Sequence, residues 1–189
     1  MKVTSPSFRF LLPAALIIIA VVSAGSATTQ KRDHLTDSES ELIRYYRELD
    51  KRIEVFIKAV DRRFAVINGT TPPSSRKLFK DEPDWGELPA GSHIELLGDI
   101  AGILDEAITN IDDVARRDAR NPLLSRSLKK LTTAANGYLN QLAILRNKTT
   151  DPDELAAIAR VADNANEIIE AGGKQPAPSP EEKDKKKKP

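Results

Sequence analysis

The sequence predicts an all-α protein: an antiparallel four-helix bundle made of a long first helix, an extended linker and a three-helix up-down-up stack, followed by a disordered C-terminal tail. Three observations carry this. Four segments space their apolar residues three and four apart, which puts them on one face of a helix. Capping residues, prolines and glycines stand where those segments begin and end. No segment shows the period-two alternation of a half-buried strand.

Residues 1–27 are set apart from the fold as an export signal. Lys2 and Arg9 form its positive start, 10–25 is charge-free and largely apolar, and Gly25-Ser26-Ala27 or Val22-Ser23-Ala24 supplies the small-residue cleavage site. The alternative is a retained anchor. The uncharged run 10–30 is 21 residues long and a spanning helix needs about 20, but its last third is Ser/Gly/Thr-rich and Pro13 interrupts it. Under either reading the domain that follows lies outside the cytoplasm, periplasmic or secreted, since an anchor would keep Lys2 and Arg9 on the cytoplasmic side.

The domain is predicted over 28–173. Its first helix covers 38–67, with Leu42, Tyr46, Leu49, Ile53, Phe56 and Val60 forming a narrow, coiled-coil-like stripe. Arg63 takes the next slot of that stripe, Phe64 fills the space beside it, and Asn68-Gly69 stops the helix. The linker 68–91 is long enough to run along the bundle or to act as a lid. Ser92 opens the second helix with Glu95 completing a capping box, and Leu97, Ala101, Leu104, Ile108, Ile111 and Ala115 mark its stripe. Asn121-Pro122 opens the third, with Leu124, Leu128, Leu131, Tyr138, Leu142 and Leu145 facing inward. Asp151-Pro152-Asp153-Glu154 gives the fourth a cap, a first-turn proline and a capping-box glutamate. Leu155, Ile158, Ala162, Ala165 and Ile169 are its inward residues, and Gly172-Gly173 ends it. Connections of about three residues make the last three helices antiparallel neighbours. Residues 174–189, rich in proline and lysine, have nothing to bury.

Composition removes whole classes of function. The absence of cysteine excludes disulfides, thiolate metal sites, iron–sulfur clusters and a lipidated cysteine. The 29 basic and 28 acidic residues give a net charge of +1, and the domain 28–173 alone carries 21 basic and 25 acidic residues, so nucleic acid is not expected as a partner. The tail carries six basic residues against three acidic and could touch an anionic surface weakly.

The search for chemistry yields no catalytic residue, no cofactor site and no metal site. His34 and His93 are the only histidines and no Glu-x-x-His or His-Glu-x-x-His pair exists, so both are expected to be ordinary cap or surface residues. Asp99, Glu106 and Asp113 recur every seven residues on the second helix, with Asp105 and Asp112 beside them. That row could gather a divalent cation, but the expected use is salt bridging to Arg44, Lys51 and Lys58, which share its seven-residue spacing on the first helix. Ser-x-x-Lys occurs at Ser74–Lys77 and Ser127–Lys130 without the companion boxes of serine hydrolases. Trp85 in the linker either plugs the end of the bundle, the favoured reading, or anchors a partner. Asn68-Gly69-Thr70 and Asn147-Lys148-Thr149 are glycosylation sequons in turns, of consequence only in a eukaryotic secretory route.

The function expected from all this is non-enzymatic: an exported helical bundle acting by protein–protein contact, or by self-association through the stripe of helix one. The alternative is a ligand- or cation-binding bundle using the acidic face of the second helix.

Overall fold

A computed structural model describes residues 32–72 and 79–174. The predicted leader, the Ser74–Lys77 motif and the tail beyond residue 174 lie outside the described residues. Within them the protein is all-helical, with no strand: α1 (Asp37–Tyr45), α2 (Leu49–Ile67), α3 (His93–Arg117), α4 (Leu123–Arg146) and α5 (Pro152–Gly173).

The single first helix expected over 38–67 is two helices. The chain leaves α1 at Tyr46, whose backbone is extended (φ −82°, ψ 115°), and re-enters helix after Glu48, also extended. The reversal buries Leu42 and brings a pair of charges together. Glu39 of α1 lies 2.7 Å from the Arg63 guanidinium of α2, both buried. In one continuous helix the two residues would stand about 36 Å apart at 1.5 Å rise per residue, so the pair forms only if the chain turns back. Thr36 caps α1, accepting from the Glu39 amide while the Glu39 carboxylate accepts from the Thr36 amide.

The remaining starts follow the sequence with one exception. Ser92 and Glu95 form the capping box of α3. The Asn121 side chain accepts from the Leu123 amide at the start of α4. Asp151 caps the Asp153 amide and Pro152 opens α5. Glu154, however, does not complete a box; its carboxylate meets His93 of α3 at 2.9 Å. At the other end of α2, Gly69 takes a positive φ of 62°, the left-handed turn that stops a helix.

Helix α2 packs on α3 and α4, α5 packs on the same two helices, α3 and α4 meet only slightly, and α1 lies on α2. The core where these contacts converge is fully apolar: Ile53, Phe56, Ile100, Ile103, Leu131 and Ile168 are all completely buried. Phe64 stacks on Tyr138 with ring centres 5.4 Å apart, and the Tyr138 hydroxyl donates to the Ile57 carbonyl.

On α5 the inward stripe is displaced from the one expected. Ile158, Val161, Ala165 and Ile168 are buried, whereas Leu155, Ala162 and Ile169 are only half-buried. The helix faces both α3 and α4, so its buried arc is centred between the two partners, and Leu155 and Ala162 fall at its α4 edge.

Candidate functional site

One flank of the molecule is closed by charge. Glu39 offers one carboxylate oxygen to Arg63 at 2.7 Å and Arg62 at 3.1 Å. Arg63 also donates to the Ala59 and His34 carbonyls. Its Nε lies 3.9 Å from Asp99 of α3, and Arg32 clamps the same carboxylate with bonds of 3.2 and 2.9 Å. His34 Nε2 meets Glu106 at 2.8 Å. Residues 32–36 thus form a strap across α3, and Gly102 makes room for it: a Cβ there would stand 2.9 Å from the His34 ring. The hydrogen bond to Glu106 raises the His34 pKa above its ordinary 6.5 against the opposing effect of burial. Burial pushes the Asp99 carboxyl up, with Arg32 opposing it.

The described part of the linker runs along the same flank. Tyr45 donates to Asp81, Arg62 donates to the Gly86 and Glu87 carbonyls, and Arg32 donates to the Ala90 carbonyl. Glu82 is buried beside Tyr46, whose pKa is pushed up to about 12 by desolvation first and by the Glu82 hydrogen bond second. Trp85 packs against the core beside α2, with Lys58 4.7 Å and Arg62 5.5 Å over its ring.

This arrangement assigns the charged rows partners other than those expected. Asp99 and Glu106 are taken by Arg32, Arg63 and His34, Asp105 by Asn164, and Asp113 by Arg116. Lys51 pairs with Glu54 in its own helix and Lys58 covers Trp85, so neither laces to α3. The row gathers no cation cage, and among the described residues no group of three His, Asp or Glu could hold a metal ion. Ser127 is buried with no hydrogen-bond partner for its hydroxyl, while Lys130 is occupied by Asp50 and Glu54, so Ser127 and Lys130 share no proton. His93 is exposed, bound to Glu154, whose carboxyl the Thr149 hydroxyl and then His93 hold below its ordinary pKa.

The helix-one stripe is likewise used inside the chain. Leu42, Leu49, Ile53, Phe56 and Val60 are all buried in this molecule. The sequence places Arg63 in a stripe slot but not its partner, because Glu39 reaches it only through the reversal at 46–48.

Among the described residues no further segment covers the opposite flank. Helix α4 is bordered by two open clefts. One, of about 650 Å³, lies against α5 and is lined by Leu139, Leu142, Ala143, Leu155, Ile158 and Ala162, among others. The second, of about 690 Å³, lies against α2, with Ile57, Ala134, Gly137 and Tyr138 forming its apolar part and Glu54, Asp61, Lys129 and Lys130 at its sides. Desolvation raises the Asp61 pKa there, opposed by a hydrogen bond with Tyr138. Ile144 on the outer face of α4 is 54% exposed, although most apolar residues of that helix are covered. Both volumes fall within the range of ordinary ligand or anchor pockets.

Compared with protein-family models, with curated proteins and with solved structures, the chain matches none of them. Its site is therefore read from its own geometry. Among the described residues no helix is long and apolar enough to cross a membrane.

Proposed function

We propose that the chain is an exported, non-enzymatic antiparallel four-helix bundle, α2 to α5, that works by protein–protein contact, and that its contact surface is the outer face of α4 and α5. One observation carries this reading. The strap, α1 and the linker cover the α2–α3 flank, themselves exposing Phe79 and Leu88, whereas α4 and α5 keep a half-exposed isoleucine beside an apolar cleft that no other described segment covers. Exposed apolar surface next to a cleft is what protein interfaces use. Export rests on the leader residues 1–27. The cation-binding alternative loses support because four of its five acids already hold partners within the chain.

A photo-crosslinking residue placed at Ile144 or Asn140 in the full chain, in its native compartment, tests this. The expected result is a discrete adduct from both positions and none from Thr109, exposed on α3. No adduct from either α4 position, or equal adducts from Thr109, overturns the reading.

A further inference from the structure

The outer face of α4 and α5 is self-complementary, and we propose that the partner it takes is a second copy of this chain. The inference rests on the reading above and names the occupant. Helix α4 carries four basic residues, Arg126, Lys129, Lys130 and Arg146, and no acid; α5 carries five acids, Asp153, Glu154, Asp163, Glu167 and Glu170, against the single base Arg160. Two neighbouring helices of opposite charge make a surface that matches itself after a half-turn.

The register decides which half-turn. Thr132 reaches the Ile168 carbonyl at 3.4 Å, and a Cβ on Gly172 would overlap Thr132. Farther along, Leu139, Ala143 and Arg146 share a cleft with Leu155, Ile158 and Ala162. The exposed cations Arg126 and Lys129 therefore lie at the same end as the exposed acids Glu167 and Glu170, while exposed Ala143 and Ile144 lie level with exposed Ala156 and Ala159. Lys130 contributes little, being held by Asp50 and Glu54, and Arg126 lies 3.6 Å from the same Asp50, so Lys129 is the cation that carries the match.

A two-fold axis parallel to the helices, running along the α4–α5 seam, lays each α4 over the partner's α5 at unchanged height. Cations then meet acids at one end, and Ile144 meets the two alanines at the other, beside the apolar cleft. A two-fold axis perpendicular to the helices would instead bring Ile144 onto Arg126 and set α4 against α4. Charge complementarity thus selects one isologous arrangement, closed at two copies. The pair Glu170–Lys174, exposed at 3.8 Å, is weak enough to exchange for Lys129 of the partner.

The cysteine-free sequence makes the test clean. Ala159→Cys, at the seam and so beside its own copy across the axis, introduces the only thiol of the full chain, and an equal mixture of Ile144→Cys and Ala156→Cys chains places one thiol on each side of the contact. Mild oxidation is expected to give a covalent dimer from these variants and none from Thr109→Cys. Lys129→Glu is expected to cut the dimer yield several-fold, and adding Glu170→Lys to restore it. Equal yields from Thr109→Cys, or no rescue in the double variant, overturns the second copy as partner. If no dimer forms while Ile144 still photo-crosslinks to a different protein, the contact surface stands and the second copy is ruled out.

Discussion

Glu39 divides its two carboxylate oxygens between a helix cap and two guanidinium groups. One oxygen receives the Thr36 amide, the other faces Arg62 and Arg63, and the residue is completely buried. Removing one member of a buried ion cluster leaves the others uncompensated, which costs about 3–5 kcal/mol. Glu39→Ala is therefore expected to destabilise the elements it ties by about that amount, read as an earlier denaturant midpoint of the Trp85 emission; a loss below about 1 kcal/mol would show that water replaces the carboxylate. Two glycines give a second residue-scale contrast. Gly69 and Gly86 share a φ of +62°, but a Cβ at Gly69 meets nothing within 4 Å, whereas one at Gly86 runs into Ser38. Gly69→Ala is expected to cost only the left-handed backbone penalty, about 1–2 kcal/mol, and Gly86→Ala clearly more. Equal costs in thermal unfolding would mean that Ser38 simply rotates away.

At the scale of elements, the caps were legible and the reversal was not. Ser92-x-x-Glu95 and Asp151-Pro152 announce helix starts because each pairs a side chain with an amide two or three residues on, all within one short window of sequence. The break at 46–48 contains no proline or glycine; it brings Glu39 to Arg63, a contact 24 residues away that no local pattern reports. The strap 32–36 is a similar case. His34 looked like an ordinary polar residue near the start of the domain, and only Gly102, small on the facing helix, hinted at a close approach. Its element-scale consequence is a pH dependence. With the folded His34 pKa raised above 6.5, chiefly by Glu106, protonated His34 stabilises the fold fully below the unfolded value, and the stabilisation is lost as pH rises through the folded value. The stability of the parent relative to His34→Gln is thus expected to be greater at about pH 5.5 than at about pH 8.5. A difference independent of pH would show that the ring acts by packing alone.

At the scale of the molecule, the two flanks differ in how they are tied. The core joins α2 to α5 through continuous apolar contact, whereas α1, the strap and the linker add a few apolar contacts of Leu35, Ile43 and Trp85 to polar ties among which Arg62 and Arg63 reach all three elements. Arg62 is the crossing point: it faces Glu39 of α1, donates to the Gly86 and Glu87 carbonyls and lies over Trp85. Trp85 is the only tryptophan in the sequence, so its emission reports on this crossing alone, while helical circular dichroism reports mainly on the long helices α2 to α5. With the cluster intact, the covering flank and the core are coupled, and the two signals are expected to change together in one cooperative transition. In Glu39→Ala, Arg62 loses its acid and the coupling weakens. Trp85 emission should then shift at lower denaturant than the helix signal, the covering elements opening before the core. Coincident curves in the variant would place the coupling in the apolar contact of Trp85 with the core instead, and Trp85→Ala would become the substitution that separates the two flanks.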